Sequence, residues 1–149
     1  PGFKSKIFKI IKFRTMNISN SKSDIERISK LGNFLRLSSL DELPELFNVL
    51  KGEMSFVGPR PLLIEYLDYY SKKQIKRHNC KPGITGLAQI HGRNKIEWDQ
   101  KFEYDLNYIE NITFINDLKI ILKTLIIIFQ FKKVNRNSKY TMEKFSDKL

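Results

Sequence analysis

The chain has 149 residues, of which 41% are hydrophobic and 12% aromatic, and this composition suits one domain with a packed core and excludes a disordered tail. Lys and Arg number 27 against 16 Asp and Glu, and the net charge of +11 indicates an anionic partner: nucleic acid, an acidic membrane surface or a phosphorylated substrate. Cys80 is the single cysteine, which excludes an intrachain disulfide and favours a reducing compartment.

The first part of the chain predicts a basic strand and a helix. Residues 6–16 are rich in β-branched and aromatic residues, carry three lysines and one arginine, and predict a strand. A loop over residues 17–23 precedes a helical pattern over residues 24–37 that Gly32 interrupts. The chain opens at Pro1 without methionine or a signal-like segment, so we expect a fragment that lacks its natural N-terminus.

Two adjacent carboxylates fall at the predicted start of the next helix. Ser39 and Glu42 have the spacing of a capping box, but Pro44 is best tolerated in the first turn and favours Asp41 as the N-cap. The helix should end at Gly52. A helix start carries unpaired N–H groups and the positive end of the helix dipole, so both carboxylates would stay ionised there and could share the site with a cation-bridged phosphate.

Three further elements follow. Residues 54–57 predict a short strand, and a helix should begin at Pro61 and end in a basic run over residues 72–77. Arg60 lies between these two elements, flanked by prolines. Residues 81–94 contain three glycines and predict a loop in which the backbone could approach a ligand closely.

Two amphipathic helices are predicted last, over residues 96–110 and 117–131. The second carries Lys119 and Lys123 on one face and nearly continuous apolar residues elsewhere, a pattern that suits an interfacial helix as well as a buried one. Its apolar run covers about fifteen residues where a membrane crossing needs roughly twenty, so we expect no spanning helix.

The carboxylates of Asp41 and Glu42 have a structural and a chemical interpretation. In the structural one, Asp41 caps a helix and Glu42 is a solvated acid of the first turn. In the chemical one, an ionised carboxylate attacks phosphorus and forms an aspartyl-phosphate, while carboxylate oxygens and a substrate diphosphate hold Mg²⁺. Residue physics alone favours the structural interpretation.

Several cations could form a phosphate clamp. Arg60 starts from a backbone that its flanking prolines pre-order, and Arg36 and Arg93 could complete the clamp if they converge in space. Each of the three alone is more often a surface residue. A zinc site is disfavoured because its three candidate ligands are scattered and lack a fourth at ligand spacing: His78, Cys80 and His91.

Several motifs, in this order and spacing, resemble the bacterial sugar transferase family, the monotopic polyprenyl-phosphate phosphoglycosyl transferases. They are Lys12-Phe13-Arg14-Thr15-Met16, Ser39-Leu40-Asp41-Glu42-Leu43-Pro44, Phe47-Asn48-Val49-Leu50-Lys51-Gly52, Val57-Gly58-Pro59-Arg60-Pro61-Leu62, Lys81-Pro82-Gly83-Ile84-Thr85-Gly86-Leu87-Ala88-Gln89, Gly92-Arg93-Asn94 and Phe102-Glu103-Tyr104-Asp105. Within the family the chain is most similar to the small single-domain type, such as the undecaprenyl-phosphate diacetylbacillosamine 1-phosphate transferase.

The resemblance and the predicted elements imply an α+β, helix-rich single domain with a few short strands and amphipathic, membrane-interface helices. The catalytic domain would cover residues 1–131, and a basic C-terminal tail residues 132–149. Family members transfer a sugar 1-phosphate from a UDP-sugar to undecaprenyl phosphate with Mg²⁺ and release UMP, through a covalent phosphosugar on the Asp of an Asp-Glu pair. The reaction is the first membrane step of glycoconjugate assembly, at the cytoplasmic face of the bacterial inner membrane.

By this resemblance Asp41 is the nucleophile, and Glu42 activates the polyprenyl phosphate or helps Asp41 to hold Mg²⁺. Five cations would meet the phosphates of donor and acceptor: Lys12, Arg14, Arg36, Arg60 and Arg93. The implied partners are the UDP-sugar, undecaprenyl phosphate, the cytoplasmic leaflet of the inner membrane and downstream glycosyltransferases. The identity of the sugar is not readable from the sequence.

Two alternatives remain open at this point. Family members carry a re-entrant hydrophobic helix ahead of the first motif, and this chain begins after it, so an inactive fragment could bind partner enzymes or anionic lipid through the terminal helix and the basic tail. A nucleic-acid-binding module would explain the charge and the basic run over residues 72–81, but a recognition motif is missing and no nucleic acid is expected.

Overall fold

The computed structural model describes residues 1–18, 27–92, 96–134 and 145. Over these ranges the helices are α1 (Lys30–Ser38), α2 (Glu45–Leu50), α3 (Leu87–Ile90), α4 (Trp98–Glu110) and α5 (Phe114–Val134), and the strands are β1 (Ser55–Val57) and β2 (Gly83–Thr85). Short 3₁₀ turns occur at Phe3–Ser5, Leu40–Glu42, Ile64–Tyr69 and Gln74–Asn79. The architecture is the predicted α+β, helix-rich single domain.

The two strands form a parallel pair in which Ser55 lies opposite Gly83 and Val57 opposite Thr85. The prediction of a short strand over residues 54–57 is confirmed by β1. The prediction of a loop over residues 81–94 is wrong over β2 and α3. The reason is a close approach of backbones, because a Cβ on Gly83 would lie 2.1 Å from the Gly58 nitrogen. The glycine therefore serves strand pairing.

The basic strand predicted over residues 6–16 is wrong. The segment is extended, but among the described residues its single strand-like pairing is the antiparallel bridge between Met16 and Ile28. Its backbone is held by other groups, because the Phe13 N–H donates to the Asp41 carbonyl at 3.0 Å and the Ile11 N–H to the Asn48 side chain at 3.1 Å. The segment is therefore hydrogen-bonded both to Asp41 and to the buried Asn48.

Helix α1 begins at Lys30, with the Ser29 hydroxyl accepting from the Gly32 N–H at 2.9 Å. Residues 24–26, where the helix was predicted to begin, lie outside the described residues. Gly32 does not interrupt the helix. It lets α1 lie against the Thr15 carbonyl, since a Cβ there would be 2.0 Å from that oxygen.

The helix predicted to begin at Pro61 is instead the 3₁₀ turn Ile64–Tyr69, with Leu63 as its N-cap. The tight winding places Tyr66 in an aromatic cluster, in edge-on contact with the Trp98 ring at 5.6 Å. The next turn, Gln74–Asn79, carries the end of the basic run, and its Arg77 is buried, with 3% exposure.

The core consists of two clusters of buried side chains joined by α4. One contains Tyr66, Trp98, Phe102 and Phe145, and the other Val57, Tyr108 and Ile120. The predicted helix over residues 96–110 is confirmed, and its apolar residues face both clusters. The helix predicted over residues 117–131 is longer at both ends and forms α5.

The predicted basic tail over residues 132–149 lies mostly outside the described residues. Its described part is the end of α5 and Phe145, whose ring is buried among Tyr66, Trp98 and Phe102. The Phe145 N–H also donates to the Tyr66 hydroxyl at 3.3 Å. At least this residue of the predicted tail therefore belongs to the core.

Among the described helices, none combines the length and the apolar character needed to cross a membrane.

Asn48 is fully buried and holds the extended segment in place. Its amide nitrogen donates to the Lys9 carbonyl at 2.8 Å and to the Glu53 carboxylate at 2.7 Å, and its oxygen accepts from Ile11. We expect Asn48→Ala to lower the free energy of unfolding by about 2–4 kcal/mol, because buried polar groups lose their partners. Urea unfolding measures the change. Asn33→Ala, at an exposed position of α1, is the control, and equal stabilities of the two variants would contradict the assignment.

Candidate active site

A cleft of about 740 Å³ opens beside the Leu40–Glu42 turn. Five of the seven predicted site residues line it: Lys12, Arg36, Asp41, Glu42 and Arg60. They come from the extended segment, α1, the 3₁₀ turn and the proline-flanked segment after β1, so the fold gathers residues that are up to 48 positions apart, from 12 to 60. A volume of this size lies within the range of small-molecule sites.

Two predicted cations are not part of this geometry. Arg14 is exposed and is not among the residues that line the cleft, whereas its neighbours Phe13 and Thr15 are. Arg93 lies outside the described residues.

The prediction of Asp41 as a helix N-cap is wrong, although Asp41 does lie in the first turn of a helical element. Asp41 lies inside the 3₁₀ turn, and α2 begins four residues later, at Glu45, with Pro44 as its N-cap. Ser39 ends α1 in a left-handed conformation, with φ 56°, and its side chain does not cap the turn. Since α2 has only six residues, the positive charge of the site comes from side chains and not from a helix dipole.

The acidic side chains are held by two cations. The Arg60 guanidinium contacts Glu42 Oε1 at 2.6 Å, and Lys12 Nζ contacts the same oxygen at 3.2 Å. Lys12 Nζ also contacts Oε1 of Glu45 at 2.9 Å, and that side chain is almost fully buried. Glu42 therefore fixes both cations at the edge of the cleft.

Asp41 and Glu42 are neighbours in sequence but differ in their electrostatics. Burial raises the pKa of Glu42, but the Arg60 guanidinium and the Lys12 ammonium outweigh it and hold the pKa at about 2. Burial and the adjacent Glu42 charge raise the pKa of Asp41 above its ordinary value, against the opposing effect of Lys12 and Arg36. Asp41 is thus the more basic carboxylate of the two.

Arg36 reaches the cleft from the last turn of α1. Its Nε donates to the Thr15 hydroxyl at 2.9 Å, which fixes one edge of the guanidinium. Guanidinium groups carry five donors, so the remaining edges can face an anion in the cleft. Of the clamp predicted from Arg36, Arg60 and Arg93, the first two line the same cleft, and the clamp itself stays a prediction.

Sequence reasoning missed three charged residues that also line the cleft: Arg77, Lys101 and Asp105. Burial and the charge of Arg60 lower the pKa of Lys101 to about 8, and its ammonium lies 4.8 Å from the centre of the Trp98 ring. Helical spacing carries the signal for two of them, because Lys101 and Asp105 are four residues apart on α4. The apolar periodicity that predicts this helix does not indicate which of its charged residues face the cleft.

The donor set at the site suits a cation that substrate phosphates help to hold. Among the described residues, no group of three or more His, Cys, Asp or Glu side chains could hold a metal ion by itself. Mg²⁺ is commonly bound by one or two carboxylates together with substrate phosphates. Asp41 offers such a carboxylate, half-buried beside the cleft, whereas Glu42 Oε1 is already engaged by two cations.

The sequence matches the family model described as bacterial sugar transferase over residues 1–131. It is 46% identical to the uncharacterized sugar transferase EpsL of Bacillus subtilis (strain 168), over 98% of this chain and 75% of that protein. The chain belongs to the bacterial sugar transferase family.

Two further relatives carry names that state a reaction. The undecaprenyl-phosphate galactose phosphotransferase of Salmonella typhimurium is 41% identical over 70% of this chain and 22% of that protein. The UDP-glucose:undecaprenyl-phosphate glucose-1-phosphate transferase of Caulobacter vibrioides is 40% identical over 79% of this chain and 50% of that protein. The chain thus spans half or less of the length of these two relatives.

The ion pairs of Glu42 predict a pH-dependent contribution to stability. Because the folded pKa of about 2 lies below the ordinary 4.5, this contribution is complete above pH 4.5 and is lost as the pH falls toward 2. We expect Glu42→Gln to lower the free energy of unfolding by roughly 2–3 kcal/mol at pH 7 and by progressively less below pH 4.5.

Urea unfolding of both proteins between pH 7 and pH 3 measures this difference. Glu65→Gln, which changes an exposed carboxylate, is the control and should show little difference at any pH. A Glu42→Gln deficit that stays constant with pH would contradict the ion-pair assignment.

Proposed function

We propose that this chain carries the catalytic site of a phosphoglycosyl transferase, which moves a sugar 1-phosphate from a UDP-sugar to undecaprenyl phosphate and releases UMP. The observation that carries the proposal is the convergence of a basic carboxylate, Asp41, with Lys12, Arg36 and Arg60 in one cleft. The names of the Salmonella and Caulobacter relatives support the substrate classes.

In the first step, a carboxylate oxygen of Asp41 attacks the β-phosphorus of the UDP-sugar. A bond forms between that oxygen and the phosphorus, and the bond from this phosphorus to the bridging oxygen breaks, so UMP leaves with the electron pair. The raised pKa of Asp41 supports this role, because a more basic carboxylate is a better nucleophile. Arg36 and Arg60 offset the charge that builds up on the phosphoryl oxygens.

In the second step, a phosphate oxygen of undecaprenyl phosphate attacks the same phosphorus. The new phosphoanhydride bond forms as the bond to Asp41 breaks, which regenerates the carboxylate. One phosphoanhydride is broken and one is made, so no separate energy source is needed and catalysis consists of positioning and charge neutralisation.

Glu42 fits the role of an anionic anchor better than that of a base. Its pKa of about 2 makes it a weak base, and a phosphate monoester has a second pKa near 6, so the acceptor needs little help to lose its proton at pH 7. Glu42 instead holds Lys12 and Arg60 at the cleft. The resemblance-based alternative, in which Glu42 activates the acceptor, stays a prediction.

Mg²⁺ is proposed as the cofactor, with Asp41 as a protein ligand and Glu42 as a weaker candidate. When bound, the ion neutralises diphosphate charge and favours UMP as a leaving group. The side chains of Lys12, Arg36 and Arg60 orient the donor from the protein side of the cleft.

A membrane-facing location is proposed from the exposed apolar residues of α1 and α5. On α5, Phe114 is 82% and Phe129 68% exposed, and on α1, which packs against α5, Leu31 is 68% exposed. Apolar patches of this kind mark interaction sites, and a polyprenyl acceptor resides in a bilayer. The proposed location is the cytoplasmic face of the inner membrane, where downstream glycosyltransferases would receive the product.

The same exposed surface supports the second candidate function, a membrane-binding module without activity. The nucleic-acid alternative loses part of its basis, because Arg77 of the basic run is buried. Turnover by the protein separates the first two candidates.

We expect Asp41→Asn to abolish both turnover and the covalent phosphosugar adduct, because the amide cannot attack phosphorus. Intact-mass spectrometry after incubation with a panel of UDP-sugars detects the adduct, and UMP release in the presence of undecaprenyl phosphate measures turnover. Asp68→Asn, at an exposed position, should behave as the unsubstituted protein. Normal UMP release by Asp41→Asn would refute the covalent mechanism.

We expect removal of Mg²⁺ by excess chelator to lower UMP release at least about a hundredfold, and added Mg²⁺ to restore it, because the diphosphate charge is no longer neutralised. Unfolding measured with and without chelator controls for loss of structure. Full turnover in excess chelator would exclude a metal-dependent reaction.

A further inference from the structure

Arg77 and Asp105, which the proposed steps leave unused, form a buried ion pair in the lining of the cleft. Two guanidinium nitrogens of Arg77, Nε and an Nη, contact Asp105 Oδ2 at 3.0 and 2.7 Å. The side chains of Arg77 and Asp105 are 2% and 5% exposed. The Arg77 guanidinium also lies 5.9 Å from the Tyr70 ring centre and 5.8 Å from that of Phe102, so its orientation is restricted on several sides.

The same Arg77 side chain reaches the cleft through the main chain of Arg60. The Arg77 Nη that contacts Asp105 also donates to the Arg60 carbonyl at 2.7 Å. The prolines at positions 59 and 61 have fixed φ angles, so the main chain on both sides of Arg60 has little freedom. A contact that holds the Arg60 carbonyl therefore also restricts the point from which the Arg60 side chain extends. The Arg60 guanidinium then meets Glu42 at 2.6 Å. Hydrogen bonds thus connect Asp105, deep in α4, to the acidic side chains of the site.

Stability alone gives a weak reason for this arrangement. Taking two charges out of water is costly, and apolar residues of similar volume often replace a buried ion pair without loss of stability. What an apolar pair cannot replace is the hydrogen bond from Arg77 to the Arg60 carbonyl. That bond is the contact which links the pair to the cleft.

We propose that Arg77 and Asp105 are positioning residues for Arg60: Asp105 orients the Arg77 guanidinium, and Arg77 holds the Arg60 main chain so that its side chain faces Glu42 and the donor diphosphate. This inference rests on the proposed function, because it assigns to Arg60 a contact with the donor. It adds residues outside the clamp predicted from the sequence.

The decisive variant is the double substitution Arg77→Met with Asp105→Leu, which removes the hydrogen bond to Arg60 without leaving an unpaired buried charge. We expect its melting temperature to stay within a few degrees of the unsubstituted value. We expect kcat/KM for the UDP-sugar, measured by UMP release, to fall at least tenfold.

Repeating the same measurement in a protein that already carries Arg60→Met makes the test specific for an effect through Arg60. If the pair acts through Arg60, adding the double substitution to Arg60→Met should lower kcat/KM no further, whereas its small effect on the melting temperature should be the same in both backgrounds. An equal tenfold loss in both backgrounds, or a stable double variant with unchanged kcat/KM, would overturn the proposal.

Arg77→Lys is the second variant, in case the apolar pair does not fold. Lysine keeps the charge opposite Asp105 but lacks the planar fork that serves two acceptors, so we expect a folded protein with kcat/KM lowered severalfold. Lys76→Met, an exposed cation of the same turn, is the matched control and should leave kcat/KM unchanged. If neither Arg77 variant folds, the pair is required for folding itself and the positioning role is refuted.

A readout that does not need turnover separates this proposal from the proposed function. In the double variant Arg60 is no longer held against Glu42, so the loss of stability that Glu42→Gln causes at pH 7 should shrink at least by half when it is measured in that background. If the unsubstituted protein forms no adduct and releases no UMP, the proposed function fails, while this coupling can still be present. If turnover occurs but the coupling and the kcat/KM loss are absent, the positioning proposal alone fails.

Discussion

One carboxylate oxygen of Glu42 holds the site together. Lys12 and Arg60 both contact Glu42 Oε1, and through it the extended segment, the 3₁₀ turn and the segment after β1 meet at one point. These residues are 30 and 18 positions away from Glu42, so the contact closes two long stretches of chain. Closing these stretches costs conformational entropy, which contacts elsewhere have to offset. Asn48 holds the extended segment and the Arg77–Asp105 pair holds the main chain of Arg60.

The charge balance of the cleft follows from the same contact. Cations that face a phosphate site repel each other when no phosphate is bound, and a carboxylate placed among them lowers this repulsive electrostatic energy. Glu42 and the buried Glu45 perform this task for Lys12 and Arg60, and Asp105 performs it for Arg77. Lys12, Arg60 and Arg77 are therefore each paired with a carboxylate, while burial and the neighbouring Glu42 charge raise the pKa of Asp41.

The elements that the sequence predicts correctly are those whose structure depends on residues close together in the chain. The apolar spacing of Trp98, Phe102 and Leu106 is enough to predict α4, and the placement of Gly52 after α2, at φ +75°, follows from C-cap chemistry. The other features depend on contacts between residues that are far apart in the sequence. Strand β2 exists because β1 lies beside it, and Arg77 is buried because it pairs with Asp105, 28 residues away. A basic run gives no indication of which of its cations has such a partner.

The aromatic cluster shows that the family-model match and the packed core differ in extent. The family match ends at residue 131, yet the ring of Phe145 fills a position among Tyr66, Trp98 and Phe102, fourteen residues later. A gene shortened at the boundary of the family match would remove this ring and expose part of the apolar surface that it covers, which favours self-association. Phe145 thus completes the packing of this cluster from outside the family match, and any tag or fusion partner that displaces it removes a core contact.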